Sequence, residues 1–289
     1  MRWEDGERGG NIEDRRGRRG PVGRGGSIGI GGIAVVLIGY FVFGIDPATL
    51  LNAVQDGGGS SYTQEAGQQG KPADQEGKFV DVILTSTSKV WTGLLHGSKA
   101  PYRQTQPLVL YTQATGTACG TGQSAMGPFY CPSDERIYID LDFFNELSSR
   151  YGAPGDFAKA YVIAHEVGHH VQKVLGTAAK VQSAMRNAGS KAEANRYSVA
   201  LELQADCYAG VWAANAPSVS NGSISIDRSD LEDGLAAAKA IGDDTLQRKS
   251  QGRVVPDSFT HGSSAQRMQW LRRGYDSGDP AQCNTFASQ

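Results

Sequence analysis

The run His165-Glu166-Val167-Gly168-His169 joins a metal-binding pattern to a proton acceptor. It lies in residues 161–172, YVIAHEVGHHVQ, an apolar stretch with helical spacing. Residues four apart share one face of a helix, about one turn from each other. Two imidazoles aimed from one face at one point supply half of a tetrahedral zinc site. The glutamate between them stands near such a metal without having to bind it, where it can take a proton from a zinc-activated water. The chain has five histidines, and His165, His169 and His170 fall within six residues. His170 sits about 140° round the helix from His165, which gives it a hydrogen-bonded supporting part rather than ligation. Gly168 leaves room for another backbone or helix to approach.

A catalytic zinc keeps three protein ligands and one open position, so a third ligand is required. The candidate is in residues 201–210, LELQADCYAG, where Glu202 and Asp206 are four apart on one helix face. Their neighbours Leu201, Leu203, Ala205 and Tyr208 are apolar, and buried carboxylates need partners. A metal and a histidine N–H are such partners. Glu202 is therefore the candidate third ligand. Asp206, one turn on, can accept the N–H of a ligating histidine and fix its tautomer.

The elements that must position these residues follow from periodicity. Helical spacing predicts helices over 79–95, 141–151, 156–175, 192–213, 230–241 and 265–275. Short apolar runs predict strands over 107–112, 124–131 and 136–140, the last two joined by the turn at 132–134. There is no internal repeat. The result is an α+β domain, mainly helical, with a small antiparallel sheet. Gly127-Pro128-Phe129-Tyr130, just before the site helix, offers either a strand for extended substrate or a disulfide-tethered structural hairpin.

At 289 residues and a net charge of −2, the chain can bury a sizeable core and suggests no nucleic-acid partner. Glycine clusters in the first seventy residues. Residues 1–26 read as a disordered basic tail with Arg15, Arg16, Arg18, Arg19 and Arg24. Residues 28–45 carry no charge, which predicts a transmembrane helix over 27–45. Arginines precede that run, and no Lys or Arg follows until Lys71. The positive-inside rule then places 1–26 in the cytoplasm and the rest outside, a single-pass membrane protein held in the lipid bilayer by this helix. Residues 46–77 read as a flexible linker, and 78–289 as the catalytic domain. All four cysteines lie beyond the run. Their even number suggests two disulfides, Cys119 with Cys131 as the local pair, leaving Cys207 with Cys283. The absence of C-x2-C spacing argues against a cysteine-ligated zinc.

HExxH on one helix followed by E-x-x-x-D on another resembles the gluzincin metalloproteases. That resemblance implies Glu202 as third ligand and Asp206 behind it. Residues 260–267, THGSSAQR, look like the His-Pro…Arg segment of the membrane-bound gluzincins that include the CAAX prenyl proteases. This implies that His261 faces the active site and steadies an oxyanion, with Gly262 in place of the usual proline. The region 79–286 resembles the bacterial neutral zinc metallopeptidase family, through GPFYCPSDERIYIDLDFF, AHEVGHHVQ, LELQADCYAGVW, THGSSAQR and QCNTF. A zincin-like domain with one catalytic Zn2+ is what this implies. The expected function is a membrane-anchored zinc endopeptidase that cleaves protein or peptide, with Glu166 as general base. The alternatives are a non-catalytic zinc-binding scaffold module and a zinc amidase acting on cell-wall peptides.

Overall fold

The computed structural model describes residues 1–17 and 66–287. Their elements, in chain order, are β1 (Ile12–Asp14), β2 (Gln68–Gly70), α1 (Gln75–Leu94), β3 (Leu108–Tyr111), β4 (Ala114–Thr117) and β5 (Gly120–Gln123). Then come β6 (Phe129–Cys131), β7 (Arg136–Asp140), α2 (Asp142–Ser149), α3 (Asp156–Val174) and α4 (Thr177–Asn187). The chain closes with α5 (Lys191–Val219), α6 (Arg228–Ala240), α7 (Asp243–Gln251) and α8 (Ser264–Ser277).

Side-chain caps set several helix starts. Asp74 and Ser190 accept backbone N–H groups of the first turns of α1 and α5. Full capping boxes, Asp227 with Asp230 and Ser263 with Gln266, open α6 and α8. Each satisfies donors that the helix itself leaves unpaired. Helix α5 is the centre of the body and packs against α1, α3, α4 and α8. Its buried Ala200, Leu203, Ala205, Tyr208, Val211 and Trp212 occupy more than one face, as a surrounded helix requires. Trp212 stacks on Phe157 of α3, and Trp91 of α1 meets Tyr208 edge-on.

Helices α5 and α8 cross backbone on backbone. A Cβ at Gly274 would stand 1.9 Å from the Cys207 carbonyl oxygen, and one at Gly210 would stand 2.1 Å from that of Leu271. Only glycine fits at either position. Gly168 plays a milder form of the same part between α3 and α5, where a Cβ would lie 3.1 Å from the Ala205 backbone.

The five-stranded sheet has the order β2-β1-β3-β7-β6, with β1 parallel to β3 and β3 parallel to β7. The outer pairs are antiparallel, and β4–β5 is a separate hairpin. This corrects the expected antiparallel sheet to a mixed one. Two pairings make it so: β3 runs parallel to β7, and β1 enters from the N-terminus between β2 and β3. Ile12 and Trp3 are buried in the common core, so residues 1–17 belong to the domain rather than to a tail. Residues 124–126 form a 3-10 turn, not part of a strand.

The membrane topology is also corrected. The expected span over 27–45 falls outside the described residues. Among the described residues, no helix is long and apolar enough to cross a membrane. Moreover, β1 precedes the apolar run and β2 follows it, yet the two are hydrogen-bonded neighbours. A single crossing between them would put them on opposite sides of a bilayer. The expectation of a cytoplasmic N-terminus and an external catalytic domain fails on that contact, and attachment to a bilayer through such a helix has no support. Both expected disulfides are present, Cys119–Cys131 and Cys207–Cys283.

Candidate active site

His165, Glu166 and His169 project from the middle of α3, and Glu202 and Asp206 from the facing stretch of α5. His165 Nε2 lies 3.2 Å from His169 Nε2 and 3.1 Å from Glu202 Oε2. His169 Nε2 is 3.5 Å from Glu202 Oε1. Among the described residues these three form the one group of histidine, cysteine or acidic side chains placed to hold a metal.

Asp206 is fully buried behind this cluster, and its Oδ1 accepts the Nδ1–H of His165 at 2.8 Å. The same oxygen accepts the Tyr161 hydroxyl at 2.6 Å and Arg267 Nη2 at 2.9 Å, while Oδ2 accepts Arg267 Nε at 2.9 Å. Arg267 Nη2 also donates to the Tyr161 hydroxyl oxygen at 3.0 Å. Burial works against the charged carboxylate, but Arg267 and His165 outweigh it and hold the Asp206 pKa at about 2. An ionised Asp206 can only accept, so His165 carries a proton on Nδ1, and in the neutral ring a lone pair on Nε2 faces the cluster.

On His169 the outer nitrogen, Nδ1, meets Gln172 Oε1 at 2.9 Å. An amide oxygen also only accepts, so this Nε2 is unprotonated as well in the neutral ring. With both rings neutral, two lone pairs face the Glu202 carboxylate, an arrangement that favours a cation in their midst, proton or metal. The titration of the imidazoles has the same sense. Burial favours their neutral forms, yet the Asp206 and Glu202 carboxylates raise His165 to about 10, and Glu202 raises His169. Glu202 is held well below the carboxylate range: burial opposes this, and His169 and His261 outweigh it. The spacing fits zinc. The two imidazole nitrogens, 3.2 Å apart, match the edge, about 3.3 Å, of a tetrahedron with ligands about 2.0–2.1 Å from its centre, and with one Glu202 oxygen the three donors lie within 4.8 Å of one another.

Glu166 is buried beside the cluster without joining it. Burial raises its pKa, His165 and His169 pull it down, and the Tyr130 backbone N–H reaches its carboxylate from β6. β6 is the edge of its sheet, pairing with β7. His170 is fully buried; its Nε2–H donates to the Arg103 carbonyl at 2.7 Å, and its Nδ1 accepts the Tyr130 hydroxyl at 2.9 Å. Burial lowers its pKa to about 4, so the ring is neutral and structural, tying β6 to the site helix.

His261 is held by a different device, near enough to Glu202 for each to act on the other's charge. Asp243, at the start of α7, accepts the backbone N–H groups of Thr260, His261 and Gly262 on one oxygen, at 2.7, 2.7 and 3.1 Å. Its other oxygen lies 3.4 Å from His261 Nδ1. Gly262 has φ of +94°. Proline is fixed near −65° and has no N–H, so neither this conformation nor the bond to Asp243 is open to it. Burial disfavours the His261 cation, while Glu202 and Asp243 favour it and raise its pKa.

Sequence reasoning did not assign Tyr161, Gln172, Asp243 or Arg267 a role. Only Arg267 carried a signal, as the last residue of the 260–267 segment. The others are scattered polar residues whose partners come from other elements. A cavity of about 450 Å³ is lined by Val181, Tyr197, Gln204, Cys283 and Phe286 among others, and by none of the cluster's three donors.

The His-His-Glu donor set, with a second carboxylate alongside, could hold a metal ion. The chain belongs to the family described as "Putative neutral zinc metallopeptidase", which matches residues 1–286. It is 48% identical over 297 aligned residues to the uncharacterized protein YpfJ of Escherichia coli K12, covering 99% of both chains. It is 41% identical over 222 residues to the uncharacterized protein Mb2605 of Mycobacterium bovis, covering 73% of this chain and 72% of that one. The same figures hold for the uncharacterized protein Rv2575 of Mycobacterium tuberculosis H37Rv. No solved structure matches the chain.

Proposed function

We propose that this protein is an endopeptidase acting on protein or peptide substrates, with one zinc ion held by His165, His169 and Glu202. The observation that carries the reading is the convergence of one donor atom from each of these residues within 4.8 Å, with the outer nitrogen of each imidazole engaged by an acceptor. When bound, zinc supplies a Lewis acid that eases deprotonation of a water and polarises a carbonyl. Glu166 takes the proton of the attacking water and delivers it to the leaving amine. Its raised pKa suits a group that must both gain and lose that proton. His261, held by Asp243, donates to the carbonyl oxygen as it gains charge. Extended substrate pairs along the edge of β6, beside Glu166.

The test is Glu166→Gln in the full chain, assayed on casein and a peptide library with parallel metal analysis. The expected variant keeps stoichiometric zinc and loses at least about 100-fold in cleavage rate. Cleavage at the wild-type rate with zinc in place sinks the mechanism.

A further inference from the structure

We propose that Gln172 and Gln204 are positioning residues that fix which ring nitrogen of His169 faces the donor cluster, with the Cys207–Cys283 disulfide anchoring their far end. The inference rests on the reading of His165, His169 and Glu202 as the metal ligands.

The logic starts from two backbone carbonyls, which can only accept hydrogen bonds. Gln172 Nε2 donates to the Leu201 carbonyl at 2.7 Å, and Gln204 Nε2 donates to the Cys283 carbonyl at 3.0 Å. These contacts orient both side-chain amides. With its NH2 on Cys283, Gln204 presents Oε1 to Gln172 Nε2 at 3.2 Å. With its NH2 donating twice, Gln172 presents Oε1 to His169 Nδ1 at 2.9 Å. The proton is thereby placed on Nδ1, and the Nε2 lone pair faces Glu202 and His165. Flipping either amide would set oxygen against carbonyl oxygen, so the chain of bonds has one self-consistent sense. Gln172 is fully buried, so water offers no ready substitute at the His169 end of the relay.

The far end of this relay is a covalent matter. Cys283 lies beyond α8, in the C-terminal segment, and its disulfide partner Cys207 is on α5, three residues from Gln204. The disulfide therefore holds the accepting carbonyl beside the donor that needs it. Nothing in the HExxH pattern calls for Gln172, which sits three residues past His169 on the same helix.

Zinc affinity by chelator competition on the full chain tests the relay, comparing wild type with Gln172→Met, Gln204→Met and the double variant Cys207→Ala/Cys283→Ala. His169→Ala is the control on the ligand set. The expected results are no stoichiometric zinc in His169→Ala, about tenfold or greater weakening in Gln172→Met, and smaller, few-fold weakening in the other two. A long-range 1H–15N spectrum of the zinc-loaded protein supplies a readout that loose packing would not change. Wild-type His169 is protonated on Nδ1, and Gln172→Met gives a mixture of ring states. Unaltered affinity and tautomer in a folded Gln172→Met protein overturns the relay. Should that variant not fold, Gln204→Met and the double alanine variant decide, and affinity within twofold of wild type in both overturns it. Equal zinc binding by wild type and His169→Ala would instead overturn the ligand assignment beneath it.

Discussion

The two histidines of the cluster are braced by opposite chemistry. Behind His165 stand ions: a fully buried carboxylate, Asp206, clamped by the two-pronged guanidinium of Arg267 and capped by Tyr161. Behind His169 stand neutral amides, Gln172 and Gln204, ending on backbone carbonyls. Both braces put the proton on Nδ1. They differ in what failure costs. A buried ion pair that loses one partner leaves an uncompensated charge, whereas an amide relay loses hydrogen bonds of ordinary worth. The charged brace also strengthens the imidazole as a ligand; the amide brace only points it.

The largest effect expected from this contrast is on stability. Arg267→Met strands Asp206, and thermal unfolding should show a loss of about 3–5 kcal/mol. A loss below about 1 kcal/mol would erase the distinction between the braces. Next comes Asp206→Asn, which keeps the shape but not the charge. Zinc competition should report an affinity about 10–100-fold weaker, more than any single amide change produces. An equal or smaller effect than Gln172→Met would reverse the ranking.

A buried carboxylate between guanidinium groups recurs in the sheet, away from the metal, and gives the contrast a pH dimension. Glu13 of β1 accepts Arg15 Nε at 2.7 Å and the Gly67 N–H at 2.9 Å, and pairs with Arg136 of β7. Burial alone would raise its pKa, but these partners hold it at about 2, against an ordinary value of 4.5. A depressed carboxylate stabilises the fold above its unfolded pKa, and that contribution disappears as pH falls from 4.5 toward 2. Acid-unfolding curves of wild type and Glu13→Gln should converge across that window. Curves that stay parallel would show that this strand is not held by its charge. The smallest effect belongs to Gln204→Met, expected to cost about 1–2 kcal/mol in denaturant unfolding, with no dependence on acid.

Much of the site was readable before any coordinates. HExxH fixes its own geometry because helix periodicity places residues four apart on one face, and Glu202 and Asp206 follow the same rule. Periodicity places α1 and α3 within four residues of their ends and the start of α5 within one, but stops α5 six residues short of Val219. Helix α7 was missed although its signals were present, with Asp243 and Asp244 in the first turn, Arg248 and Lys249 in the last, and Gly252 after it. Strand β1 gave no such signal. Three residues flanked by arginines and glycines look like tail, and only pairing with β2 and β3 makes them a strand. The membrane topology expected from charge asymmetry around the apolar run fails at this point, because the β1–β2 contact forbids it.

The sequence by itself determined which side chains could share a helix face, and hence the His165–His169 pair, the glutamate between them and the carboxylate pair that answers them. Such facts depend on spacing along one helix, which local backbone geometry enforces. The tertiary structure alone decided which oxygen meets which ring nitrogen. The crossing of α5 and α8 through Gly210 and Gly274 seats α8 against α5, where Arg267 meets Asp206. The disulfide to Cys283 brings a carbonyl to Gln204 across 79 residues of chain. Those contacts depend on how closely helices far apart in sequence can pack, and no periodicity within either helix records it.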